Sequence, residues 1–348
     1  MVNVNRRERP GDRPIIRRVL VTGGAGFIGS HVADGLAQDG LVIDVLDNLS
    51  GGDPSNVPFA VPLHVVDIRS DEVAQLLAYR HFDAIVHCAG QTSVPFSMHQ
   101  PHSDWDVNVF GTAKLAALAR AAGVGRLVYF SSGGAIYGAT TEPANERCLP
   151  RPRNWYGLHK FAAEQCIKCS GIPYAILRPS NVYGPRQRSD TDGGVVAIFL
   201  KRLLAGMPLK IHGTGRQTRD FIYVDDVVEA VRAALRSPDD VLWNVATGSE
   251  TSILMLAETI CDAAGIRLDV LRQEHRVGDV VRSVLDPSEL RGTGLWREPL
   301  PLREGLTRML LALGTDMPGK TTVPSQFKVR QERRRNRNEA QYGGIHGT

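Results

Sequence analysis

The sequence predicts an α/β fold, a doubly wound parallel sheet followed by a smaller C-terminal α/β lobe. Three observations predict it. Apolar strand-like runs alternate with helix-like stretches through the first half of the chain, the signature of parallel strands joined by crossover helices. A glycine-rich turn, Thr22-Gly23-Gly24-Ala25-Gly26-Phe27-Ile28-Gly29, sits between the first such run and the first such helix. From Gly184-Pro185 onward the alternation loosens into short helices mixed with isolated strands.

In order, strands are expected at Val19–Thr22, Leu41–Asp47, Leu63–Val66, Ala84–Cys88, Arg126–Ser131 and Tyr174–Arg178. Helices are expected between them, among them Ser30–Gln38, Thr112–Ala122 and Tyr156–Ser170. In the second half, helices at Val195–Ala205, Val224–Leu235 and Ile253–Ala264 accompany strands at Leu209–Ile211 and Trp243–Val245. This divides the chain into a polar, arginine-rich start (1–17), a nucleotide-binding half (18–184, with contributions from 222–247), a smaller lobe (185–313) and a basic tail (314–348). Both ends are expected to be disordered. Such a sheet binds ligands at the C-terminal ends of its strands, here in the cleft between the two halves.

The glycine turn carries a specific chemistry. A tight strand-to-helix turn without side chains lets the backbone approach a pyrophosphate, whose charge the helix N-terminus then neutralises. Asp47, at the end of the next strand, stands where an acid hydrogen-bonds an adenosine ribose. Together they predict a Rossmann-type site with Gly23, Gly26 and Gly29 at the pyrophosphate. Asp47 favours NAD over NADP, because a carboxylate repels a 2′-phosphate.

Composition narrows the class. The 348 residues are 43% apolar and 22% charged, ordinary for a globular chain. No apolar run approaches the roughly 20 residues that span a bilayer, and Met1–Arg18 has no apolar signal core. Five scattered cysteines suit a reducing compartment, so a cytoplasmic protein is expected. The net charge of +4 is concentrated in arginine clusters at 6–18 and 330–337, around a mildly acidic body. Without interleaved aromatics these clusters make nucleic acid an unlikely partner. Cys166-Ile167-Lys168-Cys169 lies within a helical pattern and has no second pair, so packing explains it. His87 has no partner at metal-ligand spacing, and no metal site is read.

Tyr156 and Lys160 are spaced i, i+4, on one face of a helix. They follow Phe130-Ser131-Ser132 at a strand end. With His87-Cys88-Ala89-Gly90, Asn108 and Gly111-Thr112, Asn181-Val182-Tyr183-Gly184-Pro185, Arg219-Asp220-Phe221-Ile222-Tyr223-Val224-Asp225-Asp226 and Arg276-Val277-Gly278-Asp279, this order of motifs resembles the extended short-chain dehydrogenase/reductases. The resemblance is to their NAD-dependent nucleotide-sugar epimerase/dehydratase branch, of UDP-glucose 4-epimerase type, from about Arg18 to Leu311.

The resemblance implies a 4-epimerase that passes through a transient 4-keto sugar, with NAD bound throughout. Tyr156 is then the base, and Lys160 stabilises its phenolate and holds the nicotinamide ribose. The implied cofactor site adds Phe27, Ile28, Asn48, Asp67, Ile68, Ala89, Asn108 and Ser131. For a UDP- or dTDP-sugar, Arg219 and Arg276 would bind the diphosphate, Asp279 the ribose, Asn181 the diphosphate or sugar, and Phe221 would lie near the base. The usual catalytic hydroxyl position is occupied by Gly133, so Ser132 is taken as its substitute. Gly-Gly-Ala replaces the acid pair of the dehydratases, which argues against dehydration. Ser283, small where hexose-restricted epimerases carry bulk, predicts that N-acetylhexosamine nucleotides are tolerated. A homodimer through the helices Thr112–Ala122 and Tyr156–Ser170 is also implied. Asp225 and Asp226 read as helix caps. Two alternatives remain open: a 4-ketoreductase or decarboxylase on the same scaffold, and a dinucleotide-sensing module without catalysis.

Overall fold

The computed structural model describes residues 15–189, 194–274 and 280–314. Its centre is a seven-stranded sheet built from β1 (Arg18–Thr22), β2 (Val42–Leu46), β3 (Leu63–His64), β4 (Ala84–His87), β5 (Arg126–Phe130), β6 (Tyr174–Pro179) and a late strand, Val241–Val245. Counted with the short strands β7 (Asn181–Tyr183), β8 (Leu209–His212), β9 (Thr218–Arg219) and β10 (Phe221–Tyr223), that late strand is β11. The sheet order is β11-β6-β5-β4-β1-β2-β3, and every pairing within it is parallel. The fold is the doubly wound sheet expected. The chain reverses direction at β1, which lies between β2 and β4, so the ligand crevice opens beyond the ends of β1 and β4.

Alternation along each strand builds two apolar layers. Val19, Val21, Ile43, Val45, Val86 and Val128 face α1 (Phe27–Gln38) and the later helix Val224–Arg236. Leu20, Leu46, Ile85, Leu127, Tyr129 and Ile176 face the other way, toward α2 (Glu72–Tyr79), then α5 (Thr112–Ala121) and α7 (Trp155–Cys169). Between α2 and α5 run the short helices α3 (Val94–His99) and α4 (Pro101–Trp105) and a π-helical turn, Asp106–Gly111. A single turn, α6 (Gly133–Ile136), follows β5.

A second apolar cluster joins α8 (Val195–Leu204), β8, and the helices Ile253–Ala264 and Leu302–Ala312. In chain order Val224–Arg236 is α9, Ile253–Ala264 is α10, Ser288–Gly292 is α11 and Leu302–Ala312 is α12. Small strands tie this region together: β12 (Thr251–Ser252) and β14 (Arg282–Ser283) flank β9, and β13 (Val270–Gln273) pairs with β8.

Element boundaries move by one to three residues from expectation, the largest shift being the first helix, which starts at Phe27 and not Ser30. The third strand is halved, from Leu63–Val66 to Leu63–His64; beyond it the Val66 N–H still reaches the Asp47 carbonyl at 3.2 Å but shares it with the His64 carbonyl at 3.1 Å. Trp243–Val245 is not an isolated strand but part of β11 at the sheet edge. The helical reading of 225 and 226 as caps is corrected. The cap position is Tyr223, and the Asp226 carboxylate instead accepts the Leu300 N–H at 2.9 Å. The expected disorder of both ends concerns residues that, but for 15–17 and 314, lie outside those described.

Candidate active site

The glycine turn is shaped by contacts that leave no room for side chains. Gly23 adopts φ +67°, and a Cβ there would stand 2.5 Å from the Ala89 nitrogen. A Cβ on Gly29 would meet the Gly23 carbonyl oxygen at 2.2 Å, and one on Gly26 the same oxygen at 3.1 Å. Gly26 caps α1 without a side-chain acceptor. The first-turn N–H groups beside Phe27 and Ile28 thus face the crevice of the switch point.

Asp47 ends β2 and supports this turn directly. One carboxylate oxygen accepts the Ala25 N–H at 3.0 Å and the other the Leu49 N–H at 2.8 Å. Next to it, the Asn48 amide donates to Asp67 at 2.8 Å. The Arg69 guanidinium, paired with both Asp67 oxygens, holds that carboxyl well below the usual carboxylate range. Ile68 is buried and packs where a Cβ on Gly111 would fall. Ala89, on the loop after β4, closes the turn from the opposite side.

Beneath the turn His87 is fully buried between two hydroxyls, with Nδ1 2.7 Å from Thr22 Oγ1 and Nε2 3.0 Å from Thr112 Oγ1. Burial, aided by the charge of Lys160, pushes its pKa down to about 3. It is a neutral link between β1, β4 and α5. Among the described residues no cluster of His, Cys, Asp or Glu could hold a metal ion.

The reacting end lies beyond β5. Asn154 caps α7 by accepting the Gly157 N–H at 2.8 Å, which starts the helix so that Tyr156 and Lys160 share a face. Lys160 Nζ donates to the Phe130 carbonyl at 2.8 Å and stands 4.8 Å from the centre of the Tyr129 ring. Its burial brings its pKa down to about 8. The Ser132 side chain lies close enough to the Tyr156 phenol to favour its ionised form. Desolvation nevertheless pushes Tyr156 up to about 12, with the Asp104 charge adding to it and the Ser132 side chain opposing it. The expected depression of the phenol by Lys160 is therefore not what the protein's own groups produce: burial wins.

The neighbouring Ser131 and Gly133 have separate surroundings. The Ser131 hydroxyl turns into the core and donates to Glu164 Oε1 at 2.6 Å. Glu164 is fully buried and makes a two-pronged pair with Arg178, at 2.8 and 2.6 Å. Arg178 also reaches the Tyr137 hydroxyl, which in turn donates to Asn244. With its N–H bonded to the Leu177 carbonyl at 2.8 Å as well, Ser131 keeps neither its hydroxyl nor its N–H for a ligand. At Gly133 a Cβ would stand 2.3 Å from Leu285 Cδ1, so a side chain there would have to displace the tip of Leu285, and the hydroxyl nearest Tyr156 is that of Ser132.

In the second half, Asn181 is half-buried on β7, opposite Phe221 on β10. Arg219 on β9 is opposite Ser283 on β14 and donates to the Thr218 and Val280 carbonyls at 2.8 and 2.6 Å. Ser283 faces α6, its Oγ 3.6 Å from where a Cβ on Gly134 would be. Phe221 is corrected: at 4% exposure it packs in the second cluster with Tyr183 and Phe199 and offers no face to a base. Arg276 and Asp279 lie outside the described residues.

Several residues escaped sequence reasoning. Asp104 and His159, both buried, are paired at 2.5 Å, and Asp104 also accepts from Gln91 and Asn108. Glu164 and Arg178 were missed because their partners lie elsewhere in the chain. The one available signal was a charged residue inside an apolar run, Arg178 in Ala175-Ile176-Leu177-Arg178.

Fold and site together define an α/β chain of dinucleotide-binding type, with Tyr156 and Lys160 side by side at the ends of its parallel strands. Residues 19–246 match the NAD dependent epimerase/dehydratase family, and the chain belongs to that family. It is 40% identical over 302 residues to the UDP-glucose 4-epimerase of Mycolicibacterium smegmatis, covering 84% of this chain and 96% of that one. Among solved structures it is similar to UDP-glucose 4-epimerase from Thermus thermophilus in complex with NAD (TM-score 0.80, 40% identity, 84% and 97% of the chains). It is equally similar to the Thermotoga maritima UDP-glucose 4-epimerase with UDP-glucose (TM-score 0.81, 35% identity, 84% and 97%).

Proposed function

We propose that this chain is an NAD-dependent nucleotide-sugar 4-epimerase acting on UDP-sugars. One observation carries the reading: Tyr156 and the buried Lys160 share a face of α7, with Lys160 anchored on the Phe130 carbonyl next to Ser132, at the same edge of the sheet as the glycine turn. The residues fit the cofactor. Gly23, Gly26 and Gly29 leave a cradle that a Cβ would fill, and the buried Asn108 Oδ1 has no protein partner. Gly23, Gly26, Phe27, Ile28 and Gly29 would hold the pyrophosphate, and Asp47 the adenosine ribose. Asn48, Asp67 and Ile68 would flank the adenine. Ala89, Asn108, the Ser131 backbone, Tyr156 and Lys160 would surround the nicotinamide half.

Bound NAD supplies a hydride acceptor, a later hydride donor, and a positive ring that favours the phenolate. The chain's own residues do the rest. Tyr156 takes the C4 hydroxyl proton while C4 loses its hydride, leaving a 4-keto sugar. Ser132 hydrogen-bonds the reacting oxygen and keeps the phenol aimed at it. Lys160, held by Phe130, keeps a positive charge near that oxygen. Reversal on the opposite face of the sugar returns the proton from Tyr156 and gives the C4 epimer.

Residues 18–184 with 222–247 serve as the cofactor half, and 185–313 as the substrate half. There Arg219 and Arg276 would pair with the diphosphate, Asp279 with the ribose, and Asn181 with diphosphate or sugar. Ser283, a small residue opposite Gly134 of α6, would admit an acetamido group and so extend the substrate class to N-acetylhexosamine nucleotides, of UDP or dTDP type. Exposed Trp155 and Leu158 on α7, with Phe96, Met98, Trp105 and Phe110 on the adjoining α3, α4 and π turn, support a homodimer that uses α7; α5 itself adds no large exposed apolar side chain. No described helix is long and apolar enough to cross a membrane.

Incubation with UDP-glucose and no added cofactor tests the reading. UDP-galactose should form, and Tyr156→Phe should reduce kcat by roughly 10²–10⁴-fold. Conversion only with added reduced cofactor would replace epimerase by ketoreductase, and loss of CO2 from a uronic acid sugar would mean decarboxylase. Bound dinucleotide without any turnover, unaffected by Tyr156→Phe, would leave only the sensing module.

A further inference from the structure

Asn108 lies in the π-helical turn Asp106–Gly111 and is 1% exposed. Its amide nitrogen has two acceptors, the Gln91 carbonyl at 3.0 Å and Asp104 Oδ1 at 3.1 Å. Reversing the amide would set its oxygen against both acceptors, so the orientation is forced. Its Oδ1 therefore points the other way, buried and without a protein partner. A Cβ on Gly90 would stand 2.7 Å from that oxygen and 3.5 Å from Lys160 Nζ. Acceptor and ammonium thus converge on one spot beside the loop after β4.

Asp104 is fully buried, and each of its oxygens is used. Oδ1 receives Gln91 at 2.7 Å as well as Asn108, and Oδ2 meets His159 Nδ1 at 2.5 Å. His159 precedes Lys160 on α7 and is packed against the Trp105 and Trp155 rings, with centroids 5.4 and 5.6 Å away. One carboxylate therefore joins the loop after β4, the π turn and the helix that bears Tyr156 and Lys160.

We propose that Asp104 is a positioning residue: it locks the Asn108 amide so that Oδ1 faces Lys160 and the nicotinamide ribose, and through His159 it ties this lock to α7. The proposal rests on the cofactor placement above. A π turn suits the role, since its extra residue re-aims a side chain that a regular helix would point elsewhere. A carboxylate suits it too, because it accepts several bonds and donates none.

The test compares Asp104→Asn, Asn108→Ala and the double variant in the full chain. Affinity for added NAD is measured by calorimetry after removal of bound nucleotide, beside kcat and KM for UDP-glucose. An asparagine at 104 can turn its own donor toward the Asn108 nitrogen and release the lock. Each single change should weaken NAD binding and lower kcat by about tenfold, the scale of one hydrogen bond, with KM within twofold. In the Asn108→Ala background, Asp104→Asn should cost less than a further twofold, because it acts through Asn108. Wild-type affinity and kcat in Asp104→Asn would overturn the proposal. So would a full tenfold loss on top of Asn108→Ala, the mark of a merely structural role. Should Asp104→Asn not fold, His159 carries the test. His159→Gln keeps a donor for Asp104 and should stay within threefold of wild type, whereas His159→Leu should match Asn108→Ala; equal values for the two would overturn the idea. Because the binding arm needs no sugar, it decides the proposal even if no UDP-sugar is converted.

Discussion

The two turns that frame the candidate site, after β1 and after β5, solve the same geometric problem in opposite ways. Each must bring backbone close to a ligand between a strand end and a helix. The first does so by removing side chains: Gly23, Gly26 and Gly29 allow contacts that a Cβ would forbid. The second is held by buried side chains, in the chain Ser131–Glu164–Arg178–Tyr137–Asn244, and by Leu285 filling the space over Gly133. A backbone-made turn depends on a few adjacent residues. A side-chain-made turn depends on residues up to about 150 positions away, and breaks at each of them.

The largest effect that would sharpen this contrast is expected from Glu164→Gln. It leaves the Arg178 guanidinium buried with half its pairing, and removing one partner of a buried pair costs about 3–5 kcal/mol. Urea unfolding should show that loss, and kcat should fall with Ser132 displaced while NAD affinity holds. Equal loss of NAD affinity would merge the two turns into one unit.

Acid should act on the first turn instead. His87 has its folded pKa depressed to about 3 by burial, against about 6.5 when unfolded. Its contribution is present above pH 6.5 and is lost as pH falls from there toward 3, because protons then bind the unfolded chain first. The total is on the order of 3–5 kcal/mol. His87→Gln should flatten the stability profile between pH 6 and 4, and an unchanged profile would remove His87 as the cause.

Smaller changes separate the turns further. Gly29→Ala presses a methyl into the Gly23 carbonyl at 2.2 Å and should cost about 1–3 kcal/mol of overpacking. It should appear as weaker NAD binding with little change at Ser132. Gly133→Ala meets Leu285 and should cost a similar amount, but Leu285→Ala should relieve it, and no such rescue is expected for Gly29. Ser131→Ala, which removes one hydrogen bond to Glu164, should cost only about 1 kcal/mol. A rescue of Gly29→Ala by any distant substitution would break the comparison.

What could be read in the amino acids follows the same division. The glycine turn, Asp47, the alternating strands and the i, i+4 placement of Tyr156 and Lys160 are set by neighbours within one or two turns of chain, and the fold class was legible from them. The inward turn of Ser131, the burial of Phe221 and the pairing of Asp226 with Leu300 were not. Each depends on a partner supplied by another element. The upward push on Tyr156 to about 12 was equally hidden, since desolvation is a property of everything packed around the phenol.

By itself the sequence determined the doubly wound sheet, its dinucleotide turn and the residue types available for proton and hydride chemistry. Backbone freedom and apolar periodicity are local properties, written where they act. Only the tertiary structure decided which hydroxyl meets Tyr156, because Leu285 from the far end of the chain occupies the space over Gly133. It alone decided that Asn108 turns a bare oxygen toward Lys160. Buried polar atoms must find partners within about 3 Å, and which ones they find is settled only when distant elements pack.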